Sequence, residues 1–174
     1  MKKEVFMKII KPQLLFLPLF FLFLSPSLFA LQIGDAIPGF SVISGDGHIL
    51  IRDDLLDKKG LIFYEDRSLM DINQDLKDYL KALNLDKNNI MTVVVVDCND
   101  LGLFKKLWQD RLVDHSRKIN LPVYGDWNGK MKDRFHLEDE SSTFMVIDET
   151  GHVVYSQTGT ITSSDFEQIG NLVH

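Results

Sequence analysis

The chain has 174 residues, with 25 Asp+Glu against 19 Lys+Arg, a net charge of −6 and one cysteine. An acidic chain repels nucleic-acid phosphates and anionic lipid heads, so neither is expected as a partner. One thiol cannot close an internal disulfide, so the fold must stand on its apolar core.

The N-terminus reads MKKEVFMKIIKPQLLFLPLFFLFLSPSLFA. Lys2, Lys3, Lys8 and Lys11 precede an apolar run of eleven residues, Leu14 to Leu24, and small or polar residues follow as far as Ala30. This is the layout of a cleavable secretory signal peptide over residues 1–30. The run is shorter than the ~20 residues of a membrane-spanning helix, which argues against the rival reading of an uncleaved anchor. Cleavage after Ser27 is an alternative, because Leu28 is large for the −3 position. No cysteine follows the run, which argues against a lipoprotein anchor. Residues 31–174 then form one domain-sized segment, with 15 basic against 24 acidic residues and a net charge of −9.

After the leader, Gly45-Asp46-Gly47 separates two alternating segments, which predicts a hairpin of Phe40–Ile43 against His48–Arg52. GLIFYE at 60–65 is an apolar strand. Leu69, Ile72, Leu76, Leu80 and Leu83 recur at spacings of three and four and predict a helix. IMTVVVVD at 90–97 is apolar on both alternations, as a central strand covered on both faces should be. A helix over about 100–118 is expected to bury Leu101, Phe104, Leu107, Trp108 and Leu112. LPVYGD is a short strand, DWNG a turn, and Lys130 to Leu137 a short helix with Met131 and Phe135 inward. Trp127, in that turn, is either an exposed contact residue or folded onto the core. TFMVID and HVVYSQ form a hairpin, and Thr162 to Val173 a last helix facing inward with Phe166, Ile169 and Val173. Parallel strands joined by right-handed helical crossovers, then an antiparallel hairpin and a helix, make a three-layer α/β domain.

That order and two local strings resemble the thioredoxin fold in its secreted, peroxiredoxin-related version. The strings are LQIGDAIPGFSVISGDGHIL and LPVYGDWNGKMKDRFHLEDESSTFMVIDETGHVVYSQTGTIT. The resemblance implies a central mixed sheet flanked by helices, with an N-terminal β-hairpin extension. It also implies a Cys-x-x-Cys where this chain has Ser68-Leu69-Met70-Asp71, and a cis-proline where it has Ser142. A narrower group shares both departures: the YtfJ-type proteins of bacterial envelopes. They are similar in the Asp-Arg-Ser-like junction, in the turn with Asp126, Asn128 and Gly129, and in the stretch with Leu137, Glu140, Ser141 and Ser142. This resemblance implies a periplasmic location and a thioredoxin fold, not a reaction.

A helix N-terminus stabilises a cysteine thiolate, but it cannot ionise the far less acidic serine hydroxyl. No histidine near Ser68 in sequence could serve as its base. The favoured account of Ser68 is a capping box with Asp71. The functional alternative is a ligand or partner site beyond the carboxyl ends of the strands, where Glu65, Asp66, Arg67, Ser68, Asp71, Asn99, Ser141 and Ser142 would converge. Arg67 is expected to pair internally with a carboxylate. Cys98 reads as a small buried core residue, its rival a reactive thiol. Neither His136-Leu-Glu138-Asp139-Glu140 nor Asp97-Cys98-Asn99-Asp100 has metal-site spacing, so no metal and no cofactor is expected. The reading is a non-redox binding or protein-interaction module whose partner is an envelope protein or small ligand, with the membrane engaged only through the leader before cleavage. The alternatives are a thiol-dependent oxidoreductase or peroxidase using Cys98, and a structural envelope protein.

Overall fold

The computed structural model describes residues 31–86 and 89–173; the expected signal peptide lies outside the described residues. In chain order the elements are β1 (Ser41–Ser44), β2 (Ile49–Ile51), β3 (Lys59–Glu65), α1 (Gln74–Ala82), β4 (Ile90–Asp97), α2 (Lys105–Ile119), β5 (Val123–Asp126), α3 (Lys130–Phe135), β6 (Ser142–Ile147), β7 (Val153–Thr158) and α4 (Ser163–Val173). The strands form one mixed sheet in the order β2-β1-β5-β4-β3-β6-β7. Neighbouring pairs β3–β4 and β4–β5 are parallel, and β3–β6, β6–β7, β1–β5 and β1–β2 are antiparallel.

The all-apolar stretch of β4 is explained by its central place. Val94 and Val96 pack on one face of the sheet with Leu61, Phe63, Leu76, Leu112 and Ile169. Val93 and Val95 pack on the other with Ile62, Tyr64, Leu50, Met131 and Phe135. Each side chain of this kind contributes about 1.5–3 kcal/mol when fully buried, so both alternations of the strand stabilise the domain. The pairing also fixes the functional end. Glu65 lies opposite Val96 on one side and Ser142 on the other, and Asp97 opposite Asp126. The ends of β3, β4 and β5 therefore meet the start of β6.

Two expectations need correction, and one open alternative is decided. The helix expected around Leu69 starts only at Gln74, and residues 67–73 form successive turns. Phe104 and Leu107 do not enter the core: they are 63% and 51% exposed, while Leu112 on the same helix is fully buried. The apolar stripe of α2 is wider than the strip the sheet covers. Trp127 settles onto the core side, its Nε1 donating to the Ile43 carbonyl at 2.7 Å. Its indole lies so close to Gly125 that a Cβ there would stand 2.6 Å from the ring.

Candidate functional site

After β3 the chain turns away from the sheet at the position where the sequence pattern led to a helix N-terminus. The Asp66 amide donates to the Ser141 carbonyl at 3.0 Å. The Ser68 amide and hydroxyl both donate to Asp66 Oδ1, at 2.7 and 2.6 Å. This local side-chain bonding replaces the expected capping box, and Asp71 instead faces Lys118 at 3.4 Å. Burial raises the Asp66 carboxyl, but the bonds from Ser68 and the Arg67 charge outweigh it and hold it below the usual carboxylate range. A carboxylate held low is a weak base, so the bond locks a turn and does not activate the Ser68 hydroxyl.

A buried polar layer lies beneath the turn. Glu65 and Lys77 have no side-chain exposure, and Lys77 Nζ is 2.7 Å from Glu65 Oε1 and 2.9 Å from Oε2. The same ammonium donates to the Met70 carbonyl at 2.8 Å and lies 5.3 Å from the Phe63 ring centroid. Burial pushes the Glu65 carboxyl up to about 7, with Lys77 opposing. Asn73 completes the layer. Its Nδ2 donates to Ser142 Oγ and to the Gly159 carbonyl, both at 3.1 Å, and its Oδ1 accepts from the Ile161 amide at 2.9 Å. Ser142, at the landmark position, is thus a fully buried acceptor in this network. Sequence reading missed Lys77 and Asn73. The available signal was their spacing with Leu76 and Leu80, which puts 73, 76, 77 and 80 on one helical face, together with an acid closing an apolar strand.

The β4 and β5 ends form a second cluster. Lys132 Nζ contacts Asp97 Oδ2 at 3.0 Å and also bonds Asp139. Tyr64 donates to Asp126 Oδ2 at 3.2 Å, and the Lys132 amide donates to the same oxygen at 3.0 Å. Burial raises the Asp126 carboxyl. Asn99 stands on this side, its amide donating to Asp97 Oδ1 at 3.0 Å. Cys98 is 1% exposed, and burial pushes its thiol up to about 12, with Arg67 opposing. A thiol so placed is not a thiolate at neutral pH. Among the described residues no group of three or more His, Cys, Asp and Glu side chains is placed to hold a metal ion.

The sequence-predicted site residues therefore separate by depth. Glu65 and Ser142 lie under the surface, Asp66, Arg67, Ser68 and Asp71 form the turn, and Asn99 stands over β4. Ser141 anchors the far side, its hydroxyl donating to the Glu138 carbonyl at 2.9 Å. Between the turn and α2 runs a groove of about 620 Å³ lined by Arg67, Met70, Trp108, Arg111, His115 and Lys118, among others. Among the described residues Arg67 forms no ion pair with a carboxylate, contrary to expectation. Its guanidinium lies 5.9 Å from the Trp108 ring centroid, and that of Arg111 lies 5.1 Å from it. Cation–π contacts at such an exposed site are worth about 0.5–1 kcal/mol each. His115 Nε2, also on this groove, is buried without a hydrogen-bond partner among the described residues.

A family profile described as "Bacterial protein of unknown function (YtfJ_HI0045)" matches residues 65–174. No curated protein matches the chain. The fold is similar to that of a hypothetical protein from Sinorhizobium meliloti, at 13% identity and TM-score 0.64, over 83% of this chain and 85% of that one. It is also similar to an exposed lipoprotein thioredoxin from Streptococcus pneumoniae, at 21% identity and TM-score 0.58, over 78% and 99% of the two chains. A thiol peroxidase from Chromobacterium violaceum aligns at 16% identity and TM-score 0.60, over 83% and 87%. These likenesses establish a thioredoxin-like fold.

Proposed function

The chain belongs to the bacterial YtfJ_HI0045 family, and from that membership and the geometry of the β3–α1 junction we propose that it is a periplasmic, non-redox binding module. The observation that carries this reading is the pairing of an open groove with a disarmed junction. Ser68 is tied to Asp66 at 2.6 Å, and the Cys98 thiol is buried in the core. The 67–72 turn thus keeps an exposed, pinned surface where thioredoxin-like relatives do chemistry, and binding needs only such a surface. The leader over residues 1–30 supports export, and the mature chain would begin near Leu31.

The test is a photo-crosslinking residue at position 68, introduced into the exported protein in its native envelope. A discrete crosslinked product is expected, and it should persist in the Cys98→Ala background. Insulin reduction or peroxide turnover that disappears with Cys98→Ala would overturn the reading in favour of thiol chemistry. N-terminal mass analysis of the periplasmic fraction checks the location, and a full-length chain held in the inner membrane would contradict it.

A further inference from the structure

Leu107, Trp108 and Arg111 follow the spacing of one face of α2, Phe104 ends the 3-10 turn just before that helix, and Trp108 and Arg111 line the groove. Leu103, in the same turn as Phe104, is 99% exposed. Apolar side chains in such a row are costly to leave in water unless something covers them. On the same helix Lys106 pairs with Asp110 and Arg117 with Asp114, and Lys118 pairs with Asp71 across the groove. Among the described residues no carboxylate forms an ion pair with Arg67 or Arg111. Of the neighbouring Asp66, Oδ1 accepts from the Ser68 amide and hydroxyl, and the Arg67 charge acts on that carboxylate through space without a direct pair. Two guanidiniums held against one indole, in a molecule of net charge −6, mark a local cationic spot on an acidic surface.

Resting on the binding-module reading above, we propose that the Arg67–Trp108–Arg111 cluster with Phe104 and Leu107 docks a partner polypeptide presenting Asp or Glu carboxylates next to an apolar side chain. Guanidinium forks match carboxylate oxygens in a bidentate fashion, and Trp and Arg are the residue types that dominate protein-binding energetics. A polypeptide fits better than an anionic bilayer. Lys106 and Lys118 of this helix are already ion-paired, and the arginines line a concave groove.

The test follows the Trp108 indole resonance of the isotopically labelled, exported protein by NMR. The probes are an acetylated acidic peptide, Leu-Glu-Glu-Leu-Phe, its Lys-for-Glu counterpart, and phosphatidylglycerol vesicles. The acidic peptide is expected to shift the Trp108 signal and leave the Trp127 signal in place, with affinity falling as salt rises. Arg67→Ala with Arg111→Ala should weaken binding roughly tenfold to a hundredfold, as loss of charge-assisted hydrogen bonds implies, and the Lys versions should recover only part. Equal binding of the Lys peptide, binding to vesicles alone, or indifference to the arginine variants would each overturn the proposal. If crosslinking at position 68 still captures a product in such a case, the binding module stands and only its ligand chemistry falls. If both fail, the reading beneath it fails too.

Discussion

Lys77 joins three things that would otherwise be free to move: the end of β3 through Glu65, the turn through the Met70 carbonyl, and helix α1 on which it sits. Removing one partner of a buried ion pair leaves an uncompensated charge, so Lys77→Met should cost about 3–5 kcal/mol. Adding Glu65→Leu should restore much of that loss, since well-packed apolar replacements of buried pairs are often near neutral. Urea unfolding of the single and double variants checks both. The sign of the pH effect follows from Glu65, whose carboxyl burial raises from 4.5 to about 7. Between those values the folded chain holds a proton that the unfolded chain has lost. The contribution of this group is thus fully present below about 4.5 and is lost as pH rises through about 7. Unfolding free energy measured against pH should show this fall in the parent and not in Glu65→Gln. An identical profile in both would remove Glu65 as its source.

At the scale of the element, α2 shows how far an apolar stripe can mislead. Its spacing predicts burial of Phe104 and Leu107 along with Leu112, yet the sheet reaches only the part of the helix carrying Leu112. Leu112→Ala should therefore cost about 2–5 kcal/mol, whereas Phe104→Ala and Leu107→Ala should change stability by no more than about 0.5 kcal/mol. Thermal melts of the three variants separate a core role from a surface one. If Phe104→Ala destabilised as much as Leu112→Ala, that face would be packed and not available for docking. Helix α1 carries the complementary lesson. A stripe broken by Asn73 and Lys77 looks interrupted in sequence, but both polar side chains face inward and are satisfied there.

For the molecule as a whole, the lone thiol reports on unfolding. Cys98 lies in the core with Val96, Leu101 and Leu112, so an aromatic disulfide reagent should label it only as fast as the fold opens. Labelling should accelerate in urea in step with global unfolding, and rapid labelling in native buffer would show that the thiol is accessible after all. The sequence by itself determined the order of strands and helices and the central place of β4. These follow from periodicity and residue identity, which act within a few residues. Only the tertiary structure decided that the Ser68–Asp71 cap gives way to an Asp66 turn, that Lys77 meets Glu65, and that Arg67 meets Trp108 instead of a carboxylate. Those outcomes depend on which side chains the sheet brings together from distant parts of the chain. Competition for hydrogen bonds and water among such neighbours is not written in local spacing, which marks Asn73 and Lys77 as inward-facing but not their partners.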